Sequence, residues 1–240
     1  MPELPEVETT VRGLARFLDG ERIERVVLNR PNLRRPFPPE LVQVMTGARV
    51  SGLSRRDRHD PLTMETVGHR FALCDPRRFG SVDLVGTETL DQWPQFAALG
   101  PEPLGPGLTP EHLKAALKGK TQSIKLCLLD QAIVAGLGNI YVCEALWRAG
   151  IRPTKAGGKV TKPQLQRLVP AIKEVLEASI RDGGSSLRDY AAPTGELGYF
   201  ATRFDVYGRT GEPCHRADGG IIRRIAQGGR STWYCTKCQK

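Results

Sequence analysis

Residues 99–109, LGPEPLGPGLT, place three prolines and three glycines in a short run, a density that neither a helix nor a strand interior can absorb. The chain must break there, and its texture differs on the two sides. Before the break, Pro5–Leu18 carries acids first, basic residues later, and apolar side chains at Val7, Val11, Leu14, Phe17 and Leu18. That spacing and charge order predict a helix beginning almost at the N-terminus. The runs RIERVVLNR, ARVSGLSRR, HRFALCD and GSVDLV then read as strands, being β-branched and apolar and interrupted by turn residues. Beyond the break, Pro110–Leu117, Ser123–Leu129, Ile140–Ala149 and Lys162–Ile180 show helical periodicity. From about Asp205, VYGRTGEPCHRADGGIIRRIAQGGRSTWYCTKC reads as two turn-bounded β-like pairs with cysteines at the turns, the pattern of a zinc ribbon. The expected class is α+β: a helix with a sheet-rich domain over 1–104, a helical domain over 105–204 and a ribbon over 205–240.

Composition narrows the partner. The 240 residues carry a formal charge of +9, which favours a polyanion such as nucleic acid, although many basic proteins merely have solvated charged faces. No apolar run approaches the roughly 20 residues of a membrane span. MPELPEVETT lacks the basic and apolar segments of a targeting peptide, so it is expected in the mature chain. Cys74, Cys127 and Cys143 stand singly in apolar contexts and read as buried thiols, whereas Cys214, Cys235 and Cys238 cluster near the C-terminus.

Four stretches carry candidate chemistry. Trimming of Met1 would leave the secondary amine of Pro2 at the N-terminus; an α-amino group titrates near 7.7–8.0, so a neutral fraction is available to attack carbon and form a Schiff base. Glu3 beside it is a candidate general acid and base. The competing reading of PELPE is a plain helix start. AGLGNIY (135–141) reads as a glycine turn whose following helix offers free N–H groups and the Asn139 amide to a phosphate, or else as a structural hairpin. DPRRFG (75–80) offers Arg77, Arg78 and Phe79 to phosphates and a base stack, or is a solvated turn. In the ribbon, Cys235 and Cys238 form an intact CxxC, but Cys214 is followed by HRAD. His215 or Asp218 is then expected to complete a tetrahedron around one structural zinc.

Taken in order, MPELPEVET, DPRRFG, LGPEPL, DQAIVAGLGNIY, GGSSLRDY, GELGYF, VYGRTGEPC and GRSTWYC resemble the bacterial formamidopyrimidine-DNA glycosylases nearly end to end. Leu4, where the related endonuclease VIII branch usually has glycine, favours the purine-lesion branch. The resemblance implies an N-terminal helix and β-sandwich, a helix-two-turn-helix domain and a zinc ribbon. It further implies a cytoplasmic, nucleoid-associated base-excision-repair enzyme, monomeric and without organic cofactor, acting on double-stranded DNA that contains damaged bases such as 8-oxoguanine or abasic sites. Pro2 is then the nucleophile at C1′ and Glu3 its acid/base. Arg77 and Phe79 fill the vacated stack, Asn139 and Arg230 clamp phosphate, Arg230 is linked to the final elimination, and His59 and Lys120 are further DNA contacts.

Two departures stand out. After SRR (54–56) the family continues with a phosphate-binding catalytic lysine and a loop bearing a methionine wedge, which this chain lacks; Arg58 lies near the missing lysine, and an arginine does not shuttle protons near neutral pH. The other departure is the substituted zinc ligand. They leave two alternatives beside the active glycosylase/lyase: a weakened lesion- or abasic-site-binding paralogue, and a general nucleic-acid-binding zinc-ribbon protein.

Overall fold

A computed structural model describes residues 3–28, 32, 34–53, 63–66, 69–72, 82–85, 89, 92–184 and 203–240. Among them run α1 (Leu4–Leu18), β1 (Arg25–Val27), α2 (Leu41–Met45), β2 (Thr63–Thr66), β3 (His69–Ala72), α3 (Pro94–Ala97), α4 (Pro110–Ala116), α5 (Ile124–Leu128), α6 (Asn139–Ala149), α7 (Lys162–Arg181), β4 (Ile222–Gln227) and β5 (Arg230–Cys235). The chain divides into two compact units, one comprising residues 7–97 and the other residues 1–6 with 98–240.

In the unit of residues 7–97, β1, β2 and β3 form an antiparallel meander, with Val26 opposite Met64 and Met64 opposite Phe71. Ile23, Val26, Phe37 and Leu41 make its small core, flanked by Leu28, Met45, Val50, Val82 and Leu84. Two predicted strands differ. Residues 48–53 contribute only an isolated bridge between Arg22 and Arg49, and 82–85 form no strand. β2, in contrast, lies in the polar TMET, where side-chain alternation gives no signal because backbone pairing with both neighbours defines the strand.

The larger unit is built on α6 and α7. α7 starts with a capping box in which Thr161 accepts from the Gln164 N–H and Gln164 accepts in return from the Thr161 N–H, with Pro163 in the first turn. Its buried face, which includes Leu165, Leu168, Ile172, Val175 and Leu176, packs with Leu146, Val142 and Ala145 of α6 in one core. The proline-rich break is no free linker. Leu108 is buried in this core, and Gly100 N–H and Pro101 C=O bond to Gln131 and Ala135.

Among the described residues the C-terminal segment contains one hairpin, β4–β5, plus an isolated bridge between Pro213 and Ile221, where two β pairs were expected. Gly228 and Gly229, both at positive φ, form its two-residue turn. Tyr207 packs tilted on Trp233 at 4.3 Å. The Glu144 carboxylate of α6 accepts the N–H groups of Asp205, Val206 and Tyr207 at 2.8–3.0 Å and so fixes the entry to the ribbon. No described helix is long and apolar enough to cross a membrane.

Candidate functional site

The N-terminus of α6 is already occupied by this chain's own carboxyl group. Glu3 accepts from the Ile140 N–H at 3.1 Å on both oxygens and from the Tyr141 N–H at 3.4 Å. The expectation that these N–H groups stand free for a phosphate is therefore corrected. The approach is permitted by Gly138, where a Cβ would overlap the Glu3 carboxyl group, and the Leu4 N–H bond to Gly136 C=O holds the two segments together. Glu6, itself buried, accepts the Glu3 N–H at 2.9 Å and the Tyr141 hydroxyl at 2.6 Å, and that hydroxyl lies 2.8 Å from Ser179 Oγ.

The chemical consequence is a neutral acid. Burial of the carboxyl group, reinforced by the negative charge of Glu6, pushes the pKa of Glu3 up to about 8, against the opposing pull of the α6 N–H groups. At neutral pH Glu3 holds its proton, as a general acid must.

Next to it, Asn139 is buried and donates through Nδ2 to the Ser231 carbonyl at 3.0 Å, while its Oδ1 has no partner among the described residues. The same carbonyl accepts from Lys125 Nζ at 3.3 Å. Lys125 is fully buried on α5, and burial lowers its pKa, with Arg230 adding to the effect while Cys143 and Glu3 oppose it. Two polar side chains thus converge on one carbonyl of β5 and fix the hairpin tip, from which Arg230 projects as an exposed residue. A Cβ on Gly228 would come within 2.8 Å of Leu126 of α5, so the glycine turn also lets the tip seat closely there. Lys120, exposed, ends the turn after α4.

At the other end of the hairpin Cys214, Asp218, Cys235 and Cys238 place one ligand atom each within 4.8 Å of one another. Cys214 Sγ and Cys238 Sγ are 3.9 Å apart, close to the ~3.8 Å edge of a tetrahedron with Zn–S bonds of about 2.3 Å. Asp218 Oδ2 lies 3.8 Å from Cys235 Sγ. His215 points elsewhere: its Nδ1 is 2.9 Å from Asp205 Oδ1. The five-residue turn from Cys214 to Asp218 bends through Ala217 at φ 51°, a left-handed conformation that lets the longer loop return its carboxylate to the cluster. Trp147 Nε1 donates to Cys214 Sγ at 3.3 Å. Three thiols and a carboxylate at this spacing fit a structural zinc.

Family profiles match three segments: the formamidopyrimidine-DNA glycosylase N-terminal domain over residues 1–66, the formamidopyrimidine-DNA glycosylase H2TH domain over 99–191, and the zinc finger found in FPG and IleRS over 211–240. The formamidopyrimidine-DNA glycosylase of Erythrobacter litoralis is 66% identical, with both chains covered completely. The chain belongs to the formamidopyrimidine-DNA glycosylase family. The namesake enzyme of Novosphingobium aromaticivorans is 57% identical, again over the whole of both chains. Among solved structures, a Lactococcus lactis FPG mutant in complex with a Fapy-dG containing DNA is 33% identical with a TM-score of 0.89 over all of both chains. MutM (FPG) of Thermus thermophilus is also 33% identical, with a TM-score of 0.86 over 99% of this chain and 98% of that one.

Within the structure of this glycosylase-family chain, Glu3, Asn139 and Arg230 lie around the α6 N-terminus and the hairpin tip, and Cys214, Asp218, Cys235 and Cys238 gather at the hairpin base. Pro2, Arg58, His59, Arg77, Arg78 and Phe79 lie outside the described residues. Sequence reasoning missed Lys125, Glu6 and Glu144. A charged residue inside an otherwise apolar helical run, as in IKLCL and YVCEALW, was the available signal.

Proposed function

We propose that the chain is a base-excision-repair DNA glycosylase with associated abasic-site lyase activity, acting on oxidised purines in double-stranded DNA. The observation that carries this reading is Glu3, whose carboxyl group is held on the first N–H groups of α6, one residue from Pro2. The neutral amine of Pro2, exposed once Met1 is removed, attacks C1′ of an extruded nucleotide. The bond from C1′ to the base breaks, the base leaves with a proton, and ring opening with loss of the amine proton gives an iminium. Glu3 supplies and recovers the proton in these steps. Asn139, Arg230 and Lys120 clamp phosphates, and Arg230 assists the final elimination. Arg77 and Phe79 fill the emptied stack, and Arg78, Arg58 and His59 are further DNA contacts.

Zinc held by Cys214, Asp218, Cys235 and Cys238 supplies only a cross-link, tying the base of the hairpin so that its tip presents Arg230 at a fixed place. Three functional segments follow, 1–104, 105–204 and 205–240, working in the cytoplasm at the nucleoid. A specific observation favours a skewed balance of activities. The alignment with the Erythrobacter litoralis enzyme spans 271 positions against 240 residues here, in keeping with the segment missing after Ser54–Arg56. Loss of a wedge hampers extrusion from intact duplex, which takes a few kcal/mol, more than it hampers action at sites already unstacked. Cleavage at preformed abasic sites should then exceed excision of 8-oxoguanine.

The test is borohydride trapping on abasic and 8-oxoguanine duplexes. A covalent adduct on the abasic duplex, lost in Pro2→Gly, is expected. Equal trapping without Pro2, or a mature protein that keeps Met1, would overturn the mechanism. Equal single-turnover rates on the two duplexes would leave the enzyme standing but remove the argument from the missing segment.

A further inference from the structure

At the C-terminal end of α6 lies an open cleft of about 600 Å3 whose wall includes five cationic residues: Arg148, Arg167, Arg216, Lys237 and Lys240. Among the described residues Asp218 is the single acidic one in its wall, and its carboxylate belongs to the metal cluster. Two of the guanidinium groups are held in place. Arg216 Nη2 donates to the Trp147 and Arg148 carbonyls at 3.0 and 2.8 Å and its guanidinium stacks 4.6 Å over the Trp147 ring. Arg167 Nε donates to the Ala149 carbonyl at 3.3 Å.

Capping of the last α6 carbonyls accounts for one edge of each of these two arginines. Arg167 Nη1 also donates to the Pro163 carbonyl at 3.4 Å, but capping does not account for three further cations in the same wall, of which, among the described residues, Arg148 is the one with a recorded ion pair, to Asp205 at 3.9 Å. Five cations against the carboxylates of Asp205 and Asp218 leave an excess of like charge, which is relieved when an anion joins them. The cleft is also remote from the DNA-facing residues. Asn139 opens α6, and the cleft begins at its last two residues, Arg148 and Ala149, about 14–15 Å along the axis at 1.5 Å per residue. Arg230 opens β5, and Lys237 lies beyond its end.

We propose that this cleft is a second anion-binding site, and that its ligand is an acidic segment of another protein. Arginine forks match carboxylates in bidentate geometry, the chemistry by which arginine clusters read acidic motifs. Shape favours a segment over a lone ion: the cleft is open and its cations are spread along α6, α7 and the end of the chain, not closed around one point. A partner docked here leaves the DNA face free, so the enzyme can be held by a protein while it engages a duplex.

The experiment uses the full-length, zinc-loaded protein and a fluorescein-labelled hexaglutamate peptide, read by anisotropy at low salt with and without saturating unlabelled duplex. The peptide should bind in both conditions. Arg167→Glu combined with Lys240→Glu should weaken it by at least about tenfold, the effect of 1.4 kcal/mol, while duplex affinity and zinc content stay as in the parent. The neutral pair Arg167→Gln and Lys240→Gln should show a smaller loss in the same direction, and keeps the proposal testable if the double reversal fails to fold. No binding by the parent, displacement of the peptide by duplex, or indifference to both pairs would overturn it. So would inorganic tripolyphosphate binding in the cleft more tightly than the peptide, which would make the site one for small anions.

Discussion

The two ends of α6 present the same physics with opposite outcomes. At the C-terminal end the last carbonyls meet Arg216 and Arg167, and charge is welcome there because the guanidinium groups keep contact with water. At the N-terminal end the first N–H groups meet Glu3, and the helix dipole again favours the charged form. The dipole effect amounts to roughly 0.3–2 kcal/mol. Moving the Glu3 pKa from 4.5 to about 8 corresponds to about 5 kcal/mol against ionisation. Burial and the charge of Glu6 therefore outweigh the helix. The helix end positions the carboxyl group, and the enclosure sets its proton.

The largest effect that would break this contrast is on turnover. Glu3→Gln keeps the carbonyl that accepts the Ile140 N–H but removes the transferable proton, so single-turnover base excision should fall by roughly 10²–10⁴, the usual worth of general acid–base catalysis. In the parent, kcat/KM should decline as pH rises through about 8, where Glu3 ionises. A variant with near-parental rates, or a parent rate that keeps rising past pH 9, would show that Glu3 only positions the helix.

The N-terminal arrangement was half legible in the sequence. Helical periodicity located α6 and α7, and the cysteine spacing placed the ribbon. The pairing of Glu3 with Ile140 was hidden because it spans 137 residues and needs a glycine at 138 for steric reasons that a turn signal does not convey. The same motif suggested a free phosphate cradle, since nothing local says that a carboxyl group from the other end of the chain fills it. Lys125 was passed over for a similar reason: its partner, the Ser231 carbonyl, is 106 residues away. The sequence favoured Asp218 but kept His215 as an alternative, and the left-handed bend at Ala217, which returns the Asp218 carboxylate to the cluster, separates them.

Stability should carry the second effect. A group whose folded pKa lies above its unfolded value stabilises the fold below the unfolded pKa and loses that contribution as pH rises through the folded one. For Glu3 the window runs from about pH 4.5 to about pH 8, and up to roughly 5 kcal/mol is at stake. Denaturant unfolding should therefore show Glu3→Gln gaining stability relative to the parent at pH 9 compared with pH 5. A difference that does not change between the two pH values would mean that Glu3 is ionised throughout.

Arg230 tests the hairpin tip that Asn139 and Lys125 hold beside the N-terminal end. Arg230→Ala should weaken binding of an abasic-analogue duplex by about 1–3 kcal/mol, the range for a charge-assisted hydrogen bond, and should lower the slope of log affinity against log salt by about one. Unchanged affinity together with an unchanged salt slope would remove it from the phosphate clamp.

The smallest effect belongs to the other end. Arg216→Ala removes two hydrogen bonds to α6 carbonyls, at 3.0 and 2.8 Å, and a guanidinium stacked on Trp147. Each part is modest because the residue is exposed and the freed carbonyls regain water, so the expected loss is about 1–2 kcal/mol in denaturant unfolding. The pH dependence of kcat/KM should not move, because the proton on Glu3 is set by Glu6 and burial and not by the far end of the helix. A shifted pH profile in Arg216→Ala would show that the two ends of α6 are electrostatically coupled along its length, and the contrast between a positioning end and a capping end would fail.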